Sequence, residues 1–220
     1  VWHEPPSIKT KLPDGARLLV SFYHTVIVYD EEVSICPSEP KTLELLRDEA
    51  KRVNAAFEPK GFMMNHDEWR LMNWCDACQK RHLDAGAVAA QNARECISIL
   101  QTTASGCRMY DWNDMFDPHH NAHGDYYLVR GDYAGSWEGL SKDVIIMNWN
   151  LGKLHDSLKF FADRGHRQII AGYYDAPVGR LKDHLAAAKD IPGVIGVMYT
   201  TWRKNYNDLE AFAKIADEAK

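Results

Sequence analysis

The segment VIIMNWNLGKLHDSLKFFADRGHRQIIAGYYDAPVGRLKDHLAAAKDIPGVIGVMYTT, residues 144–201, reads as three apolar runs separated by two amphipathic ones. The runs 144–149, 168–174 and 194–201 are short and bounded by polar or Gly/Pro residues, which is strand material. Between them, Leu154, Leu158 and Phe161, and then Val178, Leu181, Leu185 and Ala188, recur at helical spacing. This predicts helices over about 153–163 and 178–189. Strands that alternate with helices pair in parallel through right-handed crossovers. These strands begin about 25 residues apart, close to the roughly 30 residues of a βαβ unit.

The same alternation extends outward. Strands are expected at 61–65 and 107–112, and helices over about 86–101 and 207–218. Ala89, Ala93, Cys96, Ile97 and Leu100 line one face of the first of these helices. An earlier helix is marked by Leu43, Leu46, Ala50, Val53 and Phe57, with Ser38 as cap and Pro40 in its first turn. Before it, the turn signal Pro13-Asp14-Gly15 introduces strand residues Leu18, Val20, Phe22 and Val26 to Val28, an N-terminal strand or hairpin. Two α/β architectures compete, a (β/α)8 TIM-type barrel and an open doubly wound sheet. No glycine-rich nucleotide loop follows any strand, which favours the barrel. The expected division is an N-terminal strand or hairpin segment over 1–35 and a partial (β/α) barrel over 36–220.

The 220 residues suit one domain with at most a small appendage. Hydrophobic residues make up 45% and charged residues 26%, an ordinary globular balance with no apolar run of spanning length. The net charge is -5, and Lys and Arg do not cluster, so neither nucleic acid nor membrane is an expected partner. Five cysteines are too few for a disulfide scaffold and leave the redox compartment open. The opening Val1-Trp2-His3 has neither an initiator Met nor a signal pattern, as in a mature form or a fragment. Localisation is not legible.

In both architectures active sites lie at the carboxyl ends of the strands. There the chain carries Asn65-His66-Asp67-Glu68-Trp69, Tyr110-Asp111-Trp112-Asn113-Asp114, Asn148-Trp149-Asn150, Tyr173-Tyr174-Asp175 and Tyr199-Thr200-Thr201-Trp202. Each strand ends in an aromatic ring beside a carboxylate, amide or hydroxyl. Such walls suit a carbohydrate, which has apolar C–H faces and a polar equator. Glycoside hydrolysis needs a general acid and a second group at the oxocarbenium-like centre. Glu68, set among aromatics that would raise its pKa, is the candidate acid and Asp67 the second group, with Asp111, Asp114 and Asp175 in reserve. No cofactor is called for.

These residues also resemble a known family. Cys36-Pro37-Ser38-Glu39-Pro40-Lys41-Thr42, a helix, Pro59-Lys60-Gly61-Phe62 and then His66-Asp67-Glu68 are similar to the fourth-strand region of glycoside hydrolase family 20, the β-N-acetylhexosaminidases. The resemblance covers about residues 34–220. It implies that the five strands correspond to the fourth to eighth of a barrel, with a missing N-terminal region or another chain completing it. It implies that Glu68 is the acid/base and that Asp67 orients a substrate 2-acetamido group that attacks the anomeric carbon. Tyr174 would bond the acetamido carbonyl, and Trp112, Trp149 and Trp202 would enclose the sugar with Asp175 beside them; His66 and Asp114, by their place at the strand ends, are further candidate substrate contacts. Two departures stand out. Asn65-His66 replaces the family's paired glycines, and Arg203-Lys204 follows Trp202 where the family offers an acid, which implies a different or acidic sugar substituent.

Other constellations give other readings. Cys75-x-x-Cys78 has the spacing of half a zinc site, to which His82 or Cys36 would add if the loop folds back. With no second Cys-x-x-Cys, a disulfide or free thiols is the favoured reading, and no metal is assigned. Asp114, Asp117, His119, His120, His123 and Asp125 form the densest set of metal-ligand types, so a metal-dependent hydrolase is one alternative function. A non-catalytic carbohydrate-binding protein is the other. No nucleophile elbow accompanies Gly135-Ser136-Trp137.

Overall fold

The apolar runs form five parallel strands, β1 (Gly61–Met63), β2 (Arg108–Trp112), β3 (Val144–Asn148), β4 (Gln168–Tyr173) and β5 (Val194–Thr200). In the computed structural model, which describes residues 8–20, 35–126 and 129–219, the sheet order is β1-β2-β3-β4-β5. Helices alternate with the strands: α1 (Pro40–Phe57), the single turn α2 (Asp76–Gln79), α3 (Ala85–Thr103), α4 (Leu154–Ala162), α5 (Arg180–Ala188) and α6 (Leu209–Glu218). Each strand pairs with the next in sequence, so the order never reverses as it does at the switch point of a doubly wound sheet. The five strands expected from residue 61 onward and the long helices are present with ends shifted by a few residues. The short α2 was not foreseen.

Register assigns the faces of the sheet. Phe62 pairs with Met109, Met109 with Val144 and Asp111 with Ile146, so these side chains share one face. Met109, Val144 and Ile146 pack there with Val88, Ala89, Ala93 and Ile97 of α3 and Phe161 of α4 in the main core. Tyr110, Ile145, Trp112 and Met147 alternate to the opposite face. Smaller clusters continue the core, one around Leu154, Leu158 and Ile170 and another around Tyr173, Leu181 and Phe212. Gly86 of α3 sits so close to the 133–134 backbone that an added Cβ would lie 2.1 Å from the Ala134 carbonyl oxygen. Only a residue without Cβ lets the helix and that loop meet.

Two local expectations differ. Ser38 does not cap α1; Glu39 occupies the cap position without a side-chain bond. The Ser38 hydroxyl is engaged elsewhere, 3.1 Å from Cys78 Sγ and accepting from Arg81 Nη1. Phe57 ends the apolar face of α1 but is 77% exposed, because the helix stops there and no element covers it among the described residues.

The chain divides into two compact units, Val1–Ile35 and Cys36–Lys220. In the first, the expected turn is present, with Ala16 N–H donating to Pro13 O and Gly15 at φ +83°. Residues 16–20 carry no strand, and the remainder of the expected strand or hairpin, 21–34, lies outside the described residues.

Candidate active site

After β1 the backbone turns through two left-handed residues, Asn65 at φ 64° and Glu68 at φ 42°. Such conformations are costly for residues with a Cβ and persist where neighbouring structure holds them. Here the holder is the 3-10 turn Asp114–Phe116 that follows β2. Glu68 N–H donates to Asp114 Oδ2 at 2.9 Å, and Trp69 N–H points at Met115 Sδ. The ends of β1 and β2 are thereby locked together through the Asp114 side chain.

Asp114 is fully buried. Its Oδ2 also accepts from Asn121 Nδ2 at 3.1 Å, and its Oδ1 accepts from Trp149 Nε1 at 3.3 Å. Burial, reinforced by the neighbouring charge of Asp67, raises its pKa to about 8 despite these donors. A pKa raised this far favours the protonated acid near neutral pH. Glu68 contrasts with it: its side chain is 41% exposed and ion-paired with Arg70, which is mostly buried. The carboxyl sealed from water is thus Asp114, while Glu68 faces solvent beside Arg70.

Two phenols join the group. Burial first, then the charges of Asp67, Asp114 and Glu68, raise the pKa of Tyr174 well above its ordinary value. Tyr126 is raised in the same way by burial, Asp114 and Glu68. Both present neutral hydroxyls beside the carboxyls. Trp149 lies 6.3 Å from Tyr174 with ring planes 29° apart, and His120 packs edge-on against Trp149 at 4.2 Å. Tyr173, Tyr174 and Asp175 all have positive φ, a strained corner that redirects the chain at the end of β4.

Asp67, Glu68, Asp114, Trp149 and Tyr174 are thus brought together. His66 is not at their surface. Only 3% exposed, it places Nδ1 2.5 Å from Asp111 Oδ2 and Nε2 3.0 Å from Asn92 Oδ1. Burial would lower its pKa, but the Asp111 carboxylate outweighs this and holds it well above the ordinary value. The imidazole expected beside the substrate is turned inward as a cation that ties the β1 loop to β2 and α3. Trp112 donates its indole N–H to Asn65 Oδ1 at 3.0 Å, next to the Asp67 loop. Asp175 binds its own neighbourhood, accepting from the Thr201 hydroxyl at 2.6 Å and from the Trp202 and Arg203 N–H groups. It shapes the turn after β5, where Trp202 projects 78% exposed.

The histidine loop does not converge. His119 packs on Phe160, His120 on Trp149, and His123 Nδ1 meets Gly124 O. Among the described residues, the one group of three or more potential ligands that meets is Cys36, Cys75 and Cys78. A cavity of about 560 Å³ lined by Trp137, Arg164 and His166 lies by the residues that enter β3 and β4. That is the amino end of the strands, opposite the carboxyl cluster, and the wrong end for catalysis in either α/β architecture.

Arg70, Tyr126 and Asn121 were not singled out from the sequence. Asn121 falls within the His/Asp loop that was, but Arg70 and Tyr126 lie in aperiodic loops with no motif to mark them. No protein-family model matches the chain, and no curated protein matches it.

Proposed function

We propose that the chain is a glycoside hydrolase acting on a hexosaminide or related glycoside, in the manner of the β-N-acetylhexosaminidases of family 20. The observation that carries this reading is the meeting of Asp67, Glu68 and Asp114 with Tyr174 and Trp149 at the carboxyl ends of four consecutive strands. In it Glu68, the exposed carboxyl, protonates the leaving oxygen and then takes a proton from water. Asp67 orients the 2-acetamido group as internal nucleophile, and the Tyr174 hydroxyl donates to the acetamido carbonyl as charge develops there. Asp114 keeps its proton. This leaves one fewer negative charge beside Asp67, while its carboxyl oxygens hold the Glu68 backbone and the Trp149 indole in place. Trp149 supplies an apolar wall for the sugar ring, and Trp112 and Trp202 extend it.

In the same proposal the sheet is an arc of a (β/α)8 barrel, its strands corresponding to the fourth to eighth. The sequential strand order supports this, as does the apolar face bearing Tyr110, Ile145 and Met147 that turns away from the helices. Closure would come from a further N-terminal region or another chain pairing with β1 and β5. A second reading, carbohydrate binding without cleavage, draws on the Glu68–Arg70 ion pair, which a general acid must leave before it donates a proton.

The test is a panel of aryl glycosides, including the N-acetylglucosaminide and N-acetylgalactosaminide, with and without a chelator. Steady-state aryl alcohol release that Glu68→Gln abolishes and chelation does not affect supports the proposal. Retained sugar binding without release supports the binding-only reading, and chelator-sensitive release argues against both.

A further inference from the structure

Cys36 meets Cys75 and Cys78, 39 and 42 positions further along the chain, on the flank of the β1 loop. Cys36 lies in the turn before α1, Cys75 is the cap residue of α2, and Cys78 lies within α2. Cys36 Sγ is 3.2 Å from Cys75 Sγ and 3.5 Å from Cys78 Sγ, and all three sulfurs fall within 4.8 Å of one another. A disulfide would account for two of them and leave the third crowded against the bond with no role. A [4Fe–4S] cluster, in which each thiolate takes a different iron, would hold the sulfurs further apart, and a [2Fe–2S] cluster, with two thiolates on each iron, would keep only two of the three this close. Three sulfurs around one point match three corners of a tetrahedron, whose edge is about 3.8 Å for a Zn–S bond of about 2.3 Å.

Backbone N–H groups of Cys78 and Ala77 donate to Cys75, and that of Ser38 donates to Cys36, the kind of bonds that orient metal-bound sulfur. Arg81 reaches the cluster through its bond to the Ser38 hydroxyl, which contacts Cys78 Sγ. That guanidinium offsets the net negative charge that three thiolates leave on a divalent ion. Cys78 is buried, Cys36 half-buried and Cys75 exposed, so the cluster sits at the edge of the structure within reach of solvent.

We propose that Cys36, Cys75 and Cys78 bind a single zinc ion, with water at the fourth position. The ion fastens the start of α1 to the loop between β1 and α3 that also carries Asp67 and Glu68. It is a structural staple, and the site stands apart from any glycosidase activity of the chain.

The test uses the full chain, reduced and stripped with a chelator, and titrated with cobalt(II) and then zinc(II). One equivalent of cobalt should bind with thiolate charge-transfer absorption and be displaced by zinc. Zinc should protect Cys36, Cys75 and Cys78 of the unmodified chain from alkylation, identified by peptide mass, while Cys96 and Cys107 react as before. Cys36→Ser, Cys75→Ser and Cys78→Ser should each weaken cobalt binding at least about tenfold, with Cys96→Ser and Cys107→Ser unchanged. Because protection is read on the unmodified chain, a variant that fails to fold does not decide the matter. Absence of stoichiometric binding, or protection of a different set of thiols, overturns the proposal.

Discussion

His66 Nδ1 and Asp111 Oδ2 lie 2.5 Å apart with both side chains almost entirely buried, and Asp111 Oδ1 accepts the His66 backbone N–H as well. One carboxylate thus fixes both the ring and the main chain at the residue preceding Asp67. Breaking a buried ion pair by removing one charge costs about 3–5 kcal/mol. Asp111→Asn should lower stability by that order in urea unfolding at pH 6. The sign of its pH dependence follows from the raised pKa of His66. The pair's contribution is complete below the unfolded imidazole's value of about 6.5 and is lost as pH rises through the higher folded value. The gap between wild type and variant should therefore narrow above neutral pH, and a constant gap would show that His66 is not the partner cation.

Asp114 makes a second pH prediction. Its folded pKa of about 8 exceeds the value of about 3.9 for a free Asp. The contribution of a group raised in this way is complete below the unfolded pKa and is lost as pH rises through the folded one. Wild type should lose stability relative to Asp114→Asn between about pH 4 and pH 8, because the amide keeps an acceptor and cannot ionise. Parallel unfolding curves across that range would contradict a protonated Asp114.

Tyr174 is placed to bond a developing oxyanion. Removing one such donor costs about 10²–10³ in kcat, so Tyr174→Phe should lose turnover of an N-acetylhexosaminide by that order with little change in KM. Steady-state kinetics decide it, and an unchanged kcat would remove Tyr174 from the mechanism.

The close approach of Gly86 to the Ala134 carbonyl oxygen is testable without any substrate. Gly86→Ala drives a Cβ into backbone that cannot swing aside and should destabilise by about 1–3 kcal/mol or more. Gly152, with open space around its would-be Cβ and no positive φ, should accept Ala within about 0.5 kcal/mol. Thermal unfolding of the two variants makes the comparison.

The architecture was legible because hydrophobic period is local. Leu154, Leu158 and Phe161 mark a helix with no knowledge of what covers them, and the residues that end each strand follow by counting. That route led to Asp67, Glu68, Asp114, Trp149 and Tyr174. It did not lead to the orientation of His66, which is set by Asp111 and Asn92, 45 and 26 positions away. Nor did it show which carboxyl is sealed from water and which meets Arg70, since a list of aromatic neighbours carries neither fact. Ser38 reads as a helix cap by type, and only the return of Cys75 and Cys78 to Cys36 draws its hydroxyl away. Long-range polar pairings carry no periodicity, so they remain hidden until the chain is folded.

The most direct test of the central claim is the leaving-group dependence of Glu68→Gln. In the first turnover, before Glu68 is needed as base, glycosides of an acidic phenol, which departs without protonation, should release it from the variant nearly as fast as from wild type. Those of a poor leaving group should slow by about 10²–10⁴, the usual range of general acid catalysis. Equal loss on both substrates, or a wild-type chain that cleaves neither, would contradict the assignment of Glu68 as the acid of a glycosidase.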